Sequence, residues 1–455
     1  SPFHIGRRNP GGPFNGLIDD VRVYDRALTE GEVQALAGND PIGPLLAMKS
    51  EERTTDQLAQ LRVHYLNAED KNYQQISKEV REFKAKITDG EKPVSNVMVM
   101  ADVGTMRPTF ILDRGNYASP LKDKGVQPGV LSALPPLPEG VPQNRLGLAK
   151  WLVDPAHPLT ARVTVNRYWY MLFGSGLVES LGDFGAQGEW PSHPALLDWL
   201  AVDFVESGWD IKRMLKQMVM SGTYRQSSRV TQELLERDPQ NRLLARGPRF
   251  RLQGEFIRDN ALAASGLLVG KIGGPSVKPY QPPGLWNEVS LSGERFVQDK
   301  GENLYRRSMY TYWKRSSPAP SMTIFDARTR EKCVLLRSRT NTPLQALVTL
   351  NDVQFVEASR ALAQRAIKSA ESVDQQIVTA FRLATGLHPR PVVLEILKEA
   401  YQEELVVFKE DGERAKKLIS LGETKRDESI DAAQHAAMTI VTSMILNLDE
   451  TLTRG

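Results

Sequence analysis

Cysteine is almost absent from this 455-residue sequence, which contains only Cys333. A single thiol excludes an internal disulfide, a four-cysteine zinc site and a Cys-x-x-Cys-His haem attachment within these residues. Long apolar runs are also missing: none approaches the roughly 18 residues that a membrane-spanning helix needs, so no membrane span is predicted. The formal net charge is only +3. This disfavours nucleic acid as a partner, because a polyanion would have to bind to a local basic patch.

Recognisable metal-binding and catalytic motifs are missing too. No histidine lies two to four residues from another, as metal ligands on one helix or strand do; the six are His4, His64, His157, His193, His388 and His435. Residues 266–272 lack the spacing and the final hydroxyl residue of a phosphate-binding loop, and Gly174-Ser175-Gly176 is not a nucleophile elbow. We therefore predict no metal site, and whether the chain is an enzyme stays open.

Apolar residues recur at three- and four-residue steps over most of the chain, which is the spacing of one buried helix face. This pattern predicts a mainly α fold with a multi-helical C-terminal domain. A small β segment is predicted near 94–118, with strands at 97–100 and 109–112. The predicted helical segments are 51–88 with a break between Asn67 and Asn72, 144–153, 159–173, Pro194 to a stop at Gly208, a helix capped by Asp210, 251–268, 343–350, 352–370, 373–385, 391–421 and 427–446.

The first forty residues have a different pattern. Residues 17–24 alternate apolar and polar side chains, as a strand with one buried face does, and Thr29 to Glu32 has the capping-box pattern of a helix start. This strand followed by RALTEGEV resembles the end of a LamG-like, concanavalin-type jelly roll. The resemblance implies that 1–38 is the C-terminal remnant of a β-sandwich, so the sequence is expected to begin part-way through a domain.

Six further segments, in order, resemble the planctomycete-specific domain of unknown function; they include NRLGLAKWL, GWDIKRMLKQMVMSGTYRQSS, DPQNRLLARGPRFRLQGEFIRD and RTNTPLQALVTLND. The resemblance implies that this helical domain occupies 144–455. Before it, residues 39–93 would be a linker and the helical tail of a second uncharacterised domain. Residues 94–143 would then hold short strands and a proline-rich linker.

The domain architecture of that family carries further implications. There the domain follows a c-type cytochrome module and, often, a LamG-like insertion. The resemblance therefore implies an exported protein, periplasmic or extracellular, whose partners include its own upstream domains. Haem would be held only in those upstream modules, so no cofactor is expected in this chain. The family has no established activity and supplies no catalytic residues.

One segment, 304–340, combines positive charge with aromatic side chains. Nine arginines and lysines stand there against Asp326 and Glu331. Guanidinium groups bind carboxylate, sulfate or phosphate through paired hydrogen bonds, and aromatic rings stack on sugars or bases. The candidate ligand-binding residues are Arg306, Arg307, Tyr312, Trp313, Arg315, Asp326, Arg337, Arg339 and Asn341. The alternative is that these arginines pair with acidic residues of neighbouring helices and the aromatic rings form core.

A helix start is predicted where this segment ends. Thr342 followed by Pro343 and Gln345 has the pattern of a capping box with proline at the first helical position. The free amides of such a helix N-terminus would add to an anion site beside Arg337 and Arg339.

Few carboxylates are placed for acid–base chemistry. Glu255 and Asp259 lie one turn apart on a predicted helix, where they share a face and can bind a metal or divide acid and base roles. Asp183 is the third candidate. The alternative for the pair is a helix surface of salt bridges with Arg251 and Arg258.

Five of the seven tryptophans lie between 151 and 209. A carbohydrate-binding platform is one interpretation, but tryptophans on apolar helical stripes usually form core, and core is favoured here. Trp190, in the polar loop GAQGEWPSH, is the one predicted to be exposed.

Three hypotheses remain. The first is a binding or scaffold module that recognises an anionic glycan or an acidic protein surface. The second is an enzyme acting on anionic, possibly sulfated, polysaccharide, and the third is a docking surface for nucleic acid or an acidic protein. If Arg306, Arg315, Arg337 and Arg339 line one cleft with a perturbed carboxylate, the enzyme is favoured. If they are paired and dispersed, the binding hypotheses lose support from this segment.

Overall fold

The computed structural model describes residues 42–91, 97–104, 107–289 and 295–455, together with Gly16, 21–24, 27–28, Val33 and Leu36. The chain divides into two compact units, Ser1–Met106 and Arg107–Gly455. Within the described ranges there are eighteen α-helices and two sheets of two short strands each. The prediction of a mainly α fold is confirmed.

The first unit contains a helical hairpin. Its helices are α1 (Gly43–Ala47), α2 (Thr55–Ala68) and α3 (Lys71–Glu91), after a 3₁₀ turn at Ser50–Glu52 between α1 and α2. Thr54 and Gln57 form a capping box at the start of α2, each side chain accepting from the other residue's backbone N–H. The break predicted between Asn67 and Asn72 is confirmed. The apolar stripe of α3, which runs from Tyr73 to Ile87, is exposed to solvent.

Two strand predictions in this unit have different outcomes. Among the described residues, 97–100 form no strand, and all four side chains are exposed. That prediction is wrong, because a short apolar segment makes a strand only where a second backbone pairs with it. Of the strand predicted at 17–24, residues 21–24 have no regular secondary structure. The rest of it, and the capping box at 29–32, lie outside the described residues.

The second unit holds the remaining elements. They are β1 (Thr109–Leu112), β2 (Pro120–Val126), α4 (Arg145–Leu152), α5 (Thr160–Phe173), α6 (Pro194–Glu206), α7 (Ile211–Met220), α8 (Gln232–Arg237), β3 (Phe250–Arg251), α9 (Gly254–Ser265), α10 (Leu285–Val289), α11 (Pro320–Ile324), α12 (Pro343–Asn351), α13 (Val353–Ser369), α14 (Val373–Thr385), α15 (Pro391–Glu410), α16 (Gly412–Ile419), α17 (Ala432–Leu446), α18 (Asp449–Leu452) and β4 (Thr453–Arg454). Strands β1 and β2 form an antiparallel hairpin, which confirms the strand predicted at 109–112. Short 3₁₀ turns lie at Asp113–Gly115, Gly301–Tyr305 and Ser308–Tyr310.

Helix ends follow the predicted caps at some positions only. Asp210 accepts a hydrogen bond from the Arg213 amide at 3.0 Å, as expected. The helix predicted over 391–421 is two helices, because the Asp411 side chain caps α16 by accepting from the Arg414 amide. The capping box at Thr342 is wrong: its side chain makes no cap, and Gln345 is buried and donates instead to Ile324 O and Thr340 Oγ1.

Two large hydrophobic cores stabilise the second unit. One lies between α5, α6 and α7 and contains Val165, Trp169, Phe204 and Met214. The other lies between α9, α13, α14, α15 and α17. The antiparallel pairing of β3 with β4 joins the residues before α9 to the end of the chain. Backbone hydrogen bonds therefore hold these two segments together.

The tryptophans divide between core and surface. Trp151 and Trp169 are buried, as predicted. Trp199 is on α6 but is 54% exposed, so the core prediction is wrong for it. Trp190 is 86% exposed, which confirms the prediction for its loop.

Candidate functional site

The basic segment 304–340 is fastened to α9 through a buried arginine. Arg258 donates to the carbonyl oxygens of Leu304 and Arg306, each at 2.7 Å, and to Ser308 Oγ at 3.2 Å. Its Nε donates to Gln354 Oε1. Burial lowers the pKa of Arg258 to about 10, so the guanidinium keeps its charge at neutral pH. Most of its partners are carbonyl dipoles, which satisfy a buried donor, and the Asp259 carboxylate lies 3.8 Å from its Nη1.

Three of the candidate residues lie at the start of this segment or hold it: Asp259, Arg307 and Arg306. Asp259 Oδ1 accepts from the amide and from the hydroxyl of Ser308, both at 2.7 Å, so this carboxylate holds the start of the segment in place. Arg307 lies nearby, with Nε 3.9 Å from Asp259 Oδ2. Arg306 is buried; it donates to the carbonyl oxygens of three residues in the 271–275 loop, and its guanidinium stacks 3.8 Å above the Tyr310 ring.

Glu255 has a specific arginine partner in this segment. Arg337 Nη1 lies 2.9 Å from both of its carboxylate oxygens. The alternative stated for Glu255 is a salt bridge with Arg251 or Arg258, its neighbours on the predicted helix. Its partner is instead Arg337, 82 positions away in the sequence. Burial lowers the pKa of Arg330, and the charge of Glu255 opposes that shift. The Arg330 guanidinium also lies 5.0 Å from the centre of the Trp313 ring.

The other predicted ligand-binding residues lie in separate surroundings. Arg315 is exposed and pairs with Glu331 at 2.6 Å. Asp326 accepts from the amide and hydroxyl of Thr340 at 2.8 and 2.7 Å. The remaining three are Tyr312, whose ring centre lies 5.7 Å from that of Trp286, Arg339, whose guanidinium lies 4.4 Å from the Phe250 ring centre, and Asn341, which is exposed.

The candidate residues of 304–340 are therefore paired and dispersed. Arg306, Arg315, Arg337 and Arg339 have four different sets of partners and do not line one cleft. The third candidate carboxylate, Asp183, is in another loop, where its Oδ1 accepts from the Gly185 amide at 2.8 Å. The alternative stated for the segment, internal pairing, describes most of these contacts.

A cleft of about 350 Å³ lies elsewhere in the same unit. We call it the arginine cleft. It is lined by Trp169, Phe173, Gly174, Ser175, Gly176, Leu177, Ser192, Ser228, Val230, Leu235, Pro239, Gln240, Asn241, Arg242, Leu244, Arg246, Gly247, Pro248, Arg249 and Phe250. The rings of Trp169 and Phe173 stack with centres 3.9 Å apart. Both rings are buried in the core, and the Phe250 ring, which also lines the cleft, is half-buried. The cleft thus combines apolar and polar side chains.

The loop on one side of the cleft is held by a buried asparagine. Asn166, on α5, donates from Nδ2 to Val178 O at 2.8 Å and accepts the Val178 amide at 2.9 Å. Gly176 packs so closely that an added Cβ would lie 2.3 Å from Val178 O. Gly174 ends α5 in the left-handed conformation and lies against the Phe250 ring. The Gly-Ser-Gly sequence is therefore a tight helix end.

The opposite wall, residues 238–247, is also fixed internally. Asp238 accepts from the amides of Arg242 and Leu243 at 2.8 and 2.7 Å. Arg246 donates to the carbonyl oxygens of Asp238 and Pro239, both at 2.9 Å. The side chain of Asn241 exchanges hydrogen bonds with the Arg246 backbone. A wall built in this way is present before any ligand arrives, which lowers the entropy lost on binding.

Positive charge dominates the cleft. Three arginines line it, Arg242, Arg246 and Arg249, and no aspartate or glutamate is among the lining residues. Arg242 pairs with Glu179 and Arg249 with Asp449, but all four side chains are at least 30% exposed. Such exposed ion pairs contribute little stability, so a ligand anion can compete with them. The Arg246 guanidinium donates to two backbone carbonyl groups of the wall.

Sequence reasoning missed this cleft, although one signal was present. The run NRLLARGPR, 241–249, contains three arginines and no acidic residue. The segment 304–340 has nine basic residues and is the stronger signal of positive charge in the sequence.

A separate buried polar network lies around α13. Glu357 Oε1 accepts from the Tyr305 hydroxyl at 2.9 Å and from the Thr424 amide and hydroxyl at 2.8 and 2.7 Å. Burial raises the pKa of Tyr305 to about 12 and also raises that of Tyr280. His435 Nε2 lies 3.0 Å from the Arg360 carbonyl oxygen.

Within the described ranges, no group of three histidine, cysteine or acidic side chains could hold a metal ion. No described helix is both long enough and apolar enough to cross a membrane.

Comparison with known proteins gives two matches. Residues 144–401, more than half of the chain, match the protein family of unknown function DUF1553 (PSD1). Residues 1–34 match the concanavalin A-like lectin/glucanases superfamily (Laminin_G_3). No curated protein and no solved structure matches the chain. Every residue that lines the arginine cleft lies inside the first matched region.

Proposed function

Because this chain belongs to the DUF1553 (PSD1) family, for which no function is known, we propose a function from its geometry: it is a ligand-binding module whose arginine cleft holds an anionic sugar unit. The module would be part of an exported, modular planctomycete protein associated with c-type cytochromes. The concanavalin-like match at residues 1–34 supports a glycan-related context.

One observation carries this proposal. The lining of the arginine cleft combines three arginines and no carboxylate with the half-buried aromatic ring of Phe250. Arginine binds carboxylate and sulfate groups in a two-pronged geometry, and aromatic rings contact the apolar face of a sugar. A volume of about 350 Å³ is at the small end of ligand pockets. A uronic acid or a sulfated monosaccharide fits this combination of size and charge.

The present partners of the three arginines determine how each would contact a ligand anion. Arg246 is held by carbonyl groups and offers a fixed charge in the wall. Arg242 and Arg249 lie in exposed ion pairs. Water and dissolved salt screen the attraction between the two charges of such a pair. A ligand carboxylate would therefore exchange with Glu179 or Asp449 as the partner of one of these guanidinium groups. Binding should weaken as salt concentration rises.

Calorimetric titration with galacturonate, glucose 6-sulfate and glucose tests the proposal. We expect binding of the two anions at low salt and none of glucose. Arg249→Ala should weaken binding of the anions about tenfold, the effect of losing one charged hydrogen-bond partner. Arg315→Ala is the matched control, because Arg315 is an exposed, paired arginine outside the cleft. Absence of binding to both anions at low salt, or equal loss in the two variants, would refute the proposal.

A further inference from the structure

The side chain of Trp190 is unusually open to solvent for a tryptophan in a well-braced loop. It is 86% exposed. Tryptophan carries the largest apolar surface of any side chain and is enriched where proteins contact ligands or partners. A single exposed apolar residue needs no explanation by itself, so the surroundings of Trp190 decide what its exposure means.

The loop that carries Trp190 is braced by its own hydrogen bonds. Ser180 Oγ donates to the Asp183 carbonyl oxygen at 2.7 Å and accepts the Glu189 amide at 2.8 Å. Gly188 lies against the same carbonyl, where an added Cβ would be 2.2 Å from the oxygen. The loop therefore closes tightly one residue before Trp190. The indole is held out in the solvent by a fixed backbone.

Trp190 is close in sequence to the arginine cleft. Ser192, two residues further along, lines the cleft, and its amide donates to the carbonyl oxygen of Leu177, another lining residue, at 2.8 Å. Two residues span at most about 7 Å between Cα atoms. The Trp190 Cα is thus within about 7 Å of the Cα of Ser192, a residue that lines the cleft.

We propose that Trp190 is a stacking platform for a second ring of an acidic oligosaccharide, whose anionic unit is held in the arginine cleft. This rests on the proposed function and names its ligand as an oligosaccharide of at least two units. The apolar face of a pyranose ring would cover the indole, and removal of this apolar surface from water would favour binding. The fixed loop means that the platform is already in position, so little entropy is lost on ordering it.

The experiment compares a monosaccharide with an oligosaccharide, using the full chain. Galacturonate and tetragalacturonate would be titrated into wild type, Trp190→Ala, Trp190→Phe and the control Trp199→Ala, which removes a partly exposed tryptophan on α6. We expect wild type to bind the tetramer about tenfold more tightly than the monomer. Trp190→Ala should lose that gain and keep the affinity for galacturonate. Trp190→Phe should keep most of the gain, and Trp199→Ala all of it.

The outcomes separate the two proposals. If wild type binds neither sugar, the proposed function fails and this inference fails with it. If galacturonate binds but Trp190→Ala holds the tetramer as tightly as wild type does, the platform alone is refuted. The platform is also refuted if Trp190→Ala loses affinity for monomer and tetramer equally. Melting temperatures of all variants show whether each is folded, and Trp190→Phe separates loss of stacking from any change in the loop.

Discussion

Individual buried arginines in this molecule are satisfied mainly by backbone carbonyl groups. Arg258 and Arg306 each donate to at least two carbonyl oxygens, and Arg246 does so in the cleft wall. A guanidinium has five donors and no acceptor, so several carbonyl groups can satisfy it without another buried charge. Sequence reasoning assigned Arg306 to ligand binding because the sequence shows its charge. It does not show the carbonyl groups of residues 271–275, which loop geometry alone brings to it.

The buried histidine of the α13 network should make stability depend on pH. Burial lowers the pKa of His435, with the positive charges of Arg360 and Arg426 contributing, while its hydrogen bond to the Arg360 carbonyl opposes the shift. In the unfolded chain its pKa is about 6.5. Below that pH the unfolded chain binds a proton that the folded chain does not, so the free energy of unfolding falls. Above it the histidine is neutral in both states and has no effect.

We therefore expect the free energy of unfolding to fall by on the order of 1 kcal/mol between pH 6.5 and 5.5 because of His435. Urea unfolding at several pH values measures it. His435→Gln keeps a hydrogen-bond donor but cannot titrate, so its unfolding free energy should vary less over the same interval. Parallel pH curves for wild type and His435→Gln would contradict the assignment.

At the scale of single elements, helix interiors were predictable and their ends less so. Apolar spacing located α5, α13 and α14 to within about a residue, because a buried helix face repeats every 3.6 residues. The break at Asp411 was missed, since apolar spacing continues from α15 into α16 and only the cap distinguishes them. The strand predicted at 97–100 failed for a different reason, namely that pairing depends on a second segment.

Gly174, which ends α5, should be required for two reasons: its backbone conformation and its close packing. Gly174 has φ 79°, and an added Cβ would lie 2.6 Å from Cδ1 of Phe250. Gly208, after α6, has φ 73° and open space around it. An alanine at either position strains the left-handed backbone by about 1 kcal/mol. Only at Gly174 must a neighbouring ring also move, which adds about 1–3 kcal/mol.

Gly174→Ala should therefore destabilise the protein more than Gly208→Ala in chemical unfolding. It should also weaken galacturonate binding, because Phe250 lines the arginine cleft, whereas Gly208→Ala should leave binding unchanged. Equal destabilisation by the two substitutions would mean that the Phe250 ring moves aside without lowering the free energy of unfolding.

Across the whole molecule, the predicted site and the arginine cleft differ in how they are built. The predicted site is one continuous segment, whereas the cleft is formed by segments that are distant in the sequence. The basic segment 304–340 is the predicted site because of its density of charge, yet its arginines have partners in several places. Arg337 pairs with Glu255 on α9, Arg306 donates to the 271–275 loop, and Arg315 pairs with Glu331 within the segment. The arginine cleft is assembled from four stretches between 169 and 250. Of these stretches, only 241–249 has several basic residues and no acidic one. A site of this kind depends on which side chains from distant parts of the sequence line the same cleft, and a linear sequence does not show that.

The arginine cleft and both large cores lie within the second unit. A fragment consisting of residues 107–455 should therefore fold and bind without residues 1–106. We expect its melting temperature to lie within a few degrees of that of the full chain, and its affinity for galacturonate to be the same within about twofold, since no lining residue is removed. Circular dichroism and calorimetry on fragment and full chain measure both quantities. An aggregated or molten fragment would show that residues 1–106 stabilise the second unit. A folded fragment that fails to bind would show that they take part in the ligand site.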